Sequence, residues 1–146
     1  MLKFSADLTV NRPVDRVFAW LTTAENQAKF DKSSLKMEAL TPGIWRKGMQ
    51  FREVRDLGGR QTEVLSEIAE LEPNRSFIIR SKTGPGWLGI WSFEPEGAGT
   101  RLRWTGQLTM TGFARLFEPL IGRQMRSQID QQFANLPRLI ESELPE

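Results

Sequence analysis

Apolar and polar residues alternate over residues 2–10, with Phe4, Ala6, Leu8 and Val10 on one side, the period-2 pattern of a half-buried strand. Asn11 reads as the N-cap of a helix with Pro13 in its first turn, and Val14, Val17, Phe18 and Leu21 follow at helical spacing over 13–22. A second, more polar helix is expected over 24–30. From there to residue 110 turn residues cut the chain into six strand-like segments, 35–41, 48–57, 60–71, 75–82, 86–94 and 100–110. The breaks are Pro42-Gly43, Gly58-Gly59, Pro73-Asn74, Gly84-Pro85-Gly86 and the run Pro95 to Gly99. Connections this short predict antiparallel hairpins, because parallel strands need a long crossover.

The tail from Phe113 to Glu143 predicts one long helix with two separate apolar arcs. Phe113, Leu116, Phe117, Leu120 and Ile121 form the first, and Met125, Ile129, Phe133, Leu136 and Ile140 the second. Either the helix bends near Pro119 and Gly122, or its halves meet different surroundings. Gln124, Gln128 and Gln132 lie between the arcs. Arg123, Arg126, Ser127 and Asp130 form the solvated face, where Arg126 and Asp130 suit an i,i+4 ion pair. Pro137 removes one helical donor and predicts a bend near 133–137.

At 146 residues the length suits one domain, 1–146. A hydrophobic fraction of 39% and a charged fraction of 26% are ordinary for a soluble protein. The opening MLKFSADLTVNR lacks the apolar core of a signal peptide, and no run is long enough to span a membrane. A soluble, cytoplasmic protein is expected.

The pI of 9.3 overstates the basic character. Net charge is only +2, and without His, Cys or Tyr the titration curve is flat, so a small excess carries the pI upward. Basic residues form no block, so nucleic acid is not expected as a partner. The missing residue types also exclude thiolate chemistry and the usual imidazole proton transfer. Dispersed acidic residues give no metal site, and no cofactor is expected.

The order strand, two short helices, six strands and a long final helix resembles the START-like (SRPBCC) superfamily, particularly its polyketide cyclase/dehydrase-type members. Three strings carry the resemblance at the matching places. They are Val10-Asn11-Arg12-Pro13-Val14-Asp15-Arg16-Val17-Phe18, Trp91-Ser92-Phe93-Glu94-Pro95 with Gly99-Thr100-Arg101-Leu102, and Phe117-Glu118-Pro119-Leu120. The resemblance implies an α+β helix-grip fold, a seven-stranded curved antiparallel sheet in the order β-α-α-β6-α wrapped around the C-terminal helix. It also implies a cavity between sheet and helix that takes a lipid, polyketide, quinone or similar hydrophobic molecule. Some members are cyclases or dehydratases instead, and others are protein-interaction modules.

Strand phase sends Met49, Phe51, Trp91, Phe93, Trp104 and Leu108 inward, either as core or as the wall of such a cavity. The same phase carries Glu53 and Arg55 inward, and a carboxylate there needs a cation or a raised pKa. Glu53 is therefore the weak candidate for acid–base work, against the alternative of a salt bridge with Arg55. Gly89 and Gly106 lie in the inward phase as well, leaving room for a ligand or for strand bending. Phe117, Gln124 and Gln128 complete the expected ligand-binding set, the amides suiting a carbonyl or hydroxyl. The reading leans against catalysis, with cyclase, dehydratase or isomerase action by positioning as the alternative. A module with a filled core is the second alternative, with Leu88 and Ile90 facing outward as a docking or homodimer surface.

Overall fold

The computed structural model describes every residue except Gly58 and Pro85, so those two expected turn positions lie outside the described residues. Strand β1 (Leu2–Val10) leads into helices α1 (Val14–Leu21) and α2 (Ala24–Phe30). Strands β2 (Ser34–Ala39), β3 (Gln50–Leu57), β4 (Arg60–Glu72), β5 (Ser76–Ser81), β6 (Gly86–Glu96) and β7 (Gly99–Thr109) follow. A 3-10 helix (Gly112–Phe117) then runs into α3 (Glu118–Glu143).

The seven strands form one antiparallel sheet in the order β1-β7-β6-β5-β4-β3-β2. Each hairpin joins sequence neighbours, as short connections require, and only β1 pairs at a distance, with Leu2 opposite Leu108 and Val10 opposite Thr100. Register shifts between Ser34 and Lys36 and between Ile68 and Glu70 place an irregularity in β2 and in β4, the kind of bulge that bends a strand. One face of the sheet is covered by α3, whose Ile129, Phe133, Leu136 and Ile140 are buried against it. This is the helix-grip arrangement.

Two local expectations are corrected, and one choice between alternatives is resolved. Pro13, not Asn11, is the N-cap of α1, and its carbonyl accepts from the Arg16 and Val17 amides at 3.1 Å. The Asn11 amide instead donates to Glu141 Oε2 at 2.9 Å, so this residue serves the end of α3. The two apolar arcs of the tail arise from different surroundings, because the first sits mostly on the 3-10 helix and the first turn of α3, facing solvent. Arg126 does not pair with Asp130. Its Nη2 donates to the Lys3 carbonyl at 3.2 Å, and its guanidinium lies 5.4 Å from the centre of the Phe4 ring. Helix α3 continues unbroken through Pro137, although proline has no N–H to offer the Phe133 carbonyl.

The C-terminal end of α3 is held by many polar contacts. Arg12 donates to the Leu144 carbonyl and, at 2.9 Å, to that of Glu141, while Arg16 reaches the Pro145 carbonyl at 2.9 Å. These cations occupy the negative end of the helix dipole and satisfy carbonyls that have no helical partner. Glu143 accepts from Trp20 Nε1 and from Lys29 Nζ, each at 2.9 Å. One end of α3 is thus tied to α1 and α2.

Candidate functional site

Packing on the concave face changes along the sheet. Near the tied end of α3, Phe77, Leu102, Leu136 and Ile140 are fully buried. Trp45, from the connection between β2 and β3, plugs this region with its ring 4.8 Å from Phe51 and 5.5 Å from Phe77. Toward the opposite end, Leu2, Trp87, Ile79 and Met125 are only partly buried against the same core, and Leu108 is half-buried. Leu8, Leu71 and Leu139 nearer the tied end are partly buried too, but the side chains with no exposure gather at that end. The face is closed at one end and looser at the other.

An aromatic wall runs between the two ends. Trp91 stacks on Phe77 at 5.6 Å and meets the edge of Phe30 at 5.6 Å. Trp104 lies 4.7 Å from Phe133 on α3 and 6.0 Å from Trp87. Gly89 and Gly106 face each other across β6 and β7, and the room their missing side chains leave is taken by these indoles. A Cβ at Gly106 would stand 2.5 Å from Trp104 Cη2 and 2.9 Å from Trp87 Cη2. The two glycines accommodate the protein's own tryptophans.

Opposite this wall, the β3 side of the face is polar. Arg55 donates from Nη1 to Glu53 Oε2 at 2.9 Å and from Nη2 to Asp31 Oδ2 at 3.1 Å. Asp31 follows the last residue of α2, and its Oδ1 also accepts from the Ser33 amide at 3.0 Å and from Gln132 Nε2 at 3.4 Å. Burial alone would lower the Arg55 pKa, but the carboxylates of Asp31 and Glu53 outweigh it and hold the guanidinium above its ordinary value. Ser66, opposite Phe51 in the β3–β4 ladder, is buried with its hydroxyl lacking a hydrogen-bond partner among the described residues; the same is true of Ser34 opposite Arg55. Among the described residues, no group of three His, Cys, Asp or Glu stands where a metal ion could be held.

The residues singled out in the sequence fall into three groups. Met49, Phe51, Trp91, Phe93 and Trp104 are buried in the core cluster. Glu53 and Leu108 lie toward the looser end, Glu53 in the ion-paired network. Phe117, Gln124 and Gln128 are exposed, whereas Gln132 of the same row is buried and joined to Asp31. Two recesses stand out on the molecule. One, of about 90 Å³, lies between α2 and α3 beside Phe30, Lys32, Gln128 and Gln132. The other, of about 350 Å³, is a surface cleft between β1 and α3 at Phe4, Ser5, Arg126 and Ile129. Neither is lined by Trp91, Trp104 or Glu53.

Sequence reasoning missed Asp31, Ser66 and Trp45. Asp31 and Trp45 lie in connections without periodicity, and a serine in a strand carries no signal of the partner it lacks. The inward phase of β4 was the one signal that would have found Ser66.

An antiparallel sheet gripping one long helix, with a polar network facing an aromatic wall, defines a helix-grip domain of the α+β class. The chain belongs to the polyketide cyclase/dehydrase and lipid transport family, whose model matches residues 1–141. Its fold is similar to that of TTHA0849 from Thermus thermophilus, with a TM-score of 0.79 and 21% identity over 98% of this chain and 99% of that one. It is also similar to the Zhui aromatase/cyclase from Streptomyces sp. R1128, with a TM-score of 0.73 and 18% identity over 97% of this chain and 92% of that one. The di-domain ARO/CYC BexL matches at a TM-score of 0.73 and 18% identity, over 97% of this chain and 47% of that one. No match was found among curated proteins.

Proposed function

We propose that the protein binds a small hydrophobic molecule with one polar end, between the looser half of the concave face and α3. Family membership supports hydrophobic-ligand binding or a cyclase role as the general class. The observation that carries the finer reading is Arg55, held with two carboxylates at the polar edge of a largely aromatic and aliphatic face. A buried ion triplet is no better for stability than well-packed apolar residues, so folding alone gives little reason for it. In a binding site it has a use. The network and the Ser66 hydroxyl would orient a carbonyl or hydroxyl, while Trp87, Trp104, Ile79 and Leu108 take the apolar body.

A cyclase reading draws on the printed names of the Zhui and BexL neighbours. The pairing of Glu53 with Arg55 at 2.9 Å speaks against Glu53 as a free acid or base, so any turnover would rest on positioning. The ligand-binding reading is the stronger of the two. Native mass spectrometry of the protein purified from its host should show a retained lipophilic adduct. A clean apo mass, together with no thermal shift across a lipophilic library, would overturn it.

A further inference from the structure

The first apolar arc of the tail is bare. Phe113, Leu116, Phe117 and Leu120 are 85%, 74%, 58% and 65% exposed. Phe113 and Leu116, three apart, align on the 3-10 helix, and Phe117 and Leu120 carry the exposed apolar positions on into the first turn of α3. A single exposed leucine needs no explanation, but four adjacent large apolar side chains do.

The free charges beside the stripe are cationic. Arg115 and Arg123 are exposed and neither makes an ion pair among the described residues, while Arg126 is turned to the Lys3 carbonyl and the Phe4 ring. The acidic residue within the stripe, Glu118, is occupied by the N-terminal amine of Met1 at 3.0 Å. Met1 itself is 60% exposed, which adds another apolar group beside that contact.

We infer that this stripe docks on a membrane surface bearing anionic phospholipid. The four apolar side chains would enter the boundary between headgroups and acyl chains, and the arginines would meet lipid phosphates. The cations beside the stripe favour an anionic lipid surface over a neutral apolar partner. A bilayer takes up a few projecting apolar groups flanked by cations without needing a large matching face. The stripe follows β7, whose Thr109 lies opposite Gly86, so docking would hold the looser end of the concave face toward the lipid. The inference does not require that the concave face hold a ligand.

Vesicle flotation tests it. The wild-type chain should float with vesicles of phosphatidylcholine containing about 30% phosphatidylglycerol, and much less with phosphatidylcholine alone or in high salt. Phe113→Ser with Leu116→Ser should cut the bound fraction roughly tenfold or more. Arg115→Glu with Arg123→Glu should abolish the preference for the anionic vesicles. Both pairs replace exposed side chains, so the melting temperature should not change, and ligand retention in native mass spectrometry should persist. Absence of flotation with anionic vesicles overturns the inference, and points to an acidic protein partner if the chain binds one through the same residues. Flotation unaffected by Phe113→Ser with Leu116→Ser also overturns it. So does a dimer in sedimentation that the same variant dissolves, which would make the stripe a contact between two copies.

Discussion

Arg55 concentrates the electrostatics of the concave face. Its side chain is 20% exposed and bridges Glu53 of β3 to Asp31 after α2, so its removal leaves two carboxylates facing each other without a cation. Arg55→Met should destabilise the fold by up to about 3 kcal/mol at neutral pH, the low end of the roughly 3–5 for breaking a buried pair, because the network is partly solvated. Adding Glu53→Gln should restore part of that loss, since the substitution removes one of the stranded charges. Urea denaturation of the single and double variants measures both effects. A single variant as stable as wild type would mean that water, not Arg55, already solvates these carboxylates. The inward phase of Glu53 and Arg55 was legible from the alternation of β3 alone. Asp31 was not, because a residue at the end of a short helix acquires its partner only when that helix lands on the sheet.

Among the elements, α3 is asymmetric. Its C-terminal turn is fastened to α1 and α2 through Trp20 and Lys29 and to the connection before α1 through Arg12, while its N-terminal turn stands at the exposed apolar stripe. Glu143 is the hub of the fastened end. Its carboxyl is held below the ordinary value of 4.5 by the hydrogen bond from Trp20, then by the one from Lys29, against a smaller desolvation effect. A carboxyl depressed in the folded state contributes stability that is fully present above its unfolded pKa and is lost as pH falls through the folded value. Acid titration should therefore loosen the contact between α3 and α1–α2 below about pH 4.5, and Glu143→Gln should flatten that limb of the stability curve. Chemical denaturation of both proteins between pH 7 and 3 checks this, and identical slopes would remove Glu143 from the account. The periodicity of the tail showed two apolar arcs without saying what either one faced.

For the whole molecule, the gradient from a closed to a looser end sets what a ligand would do. A molecule binding only the folded state at a hundred times its Kd adds about 2.7 kcal/mol. For a domain near this size, that corresponds to a rise in Tm of roughly 5–10 °C. A lipophile found bound to the purified protein should reproduce the rise when added back to delipidated protein. A shift that is absent at saturating ligand would place the adduct outside the folded core. Aromatic load alone did not reveal the gradient. Five tryptophans and nine phenylalanines would suit a filled core as well as a lined cavity, and the structure shows Trp87 and Trp104 taking the space left by Gly89 and Gly106.

The element order, the antiparallel connectivity and the inward phase of β1, β3, β6 and β7 were determined by the sequence, because period-2 alternation and short turns are local properties of a chain. The α+β helix-grip architecture followed from that order together with the family resemblance. Four matters were decided only by tertiary structure: which end of the face closes, that Asp31 joins Glu53 on Arg55, which glutamine of the α3 row is buried, and that the first apolar arc stays bare. Each depends on the distance between segments far apart in the chain. Asp31 and Gln132, for example, are 101 positions apart yet share a hydrogen bond. Periodicity tells a residue which side of its own element it occupies, and only packing tells it what stands on that side.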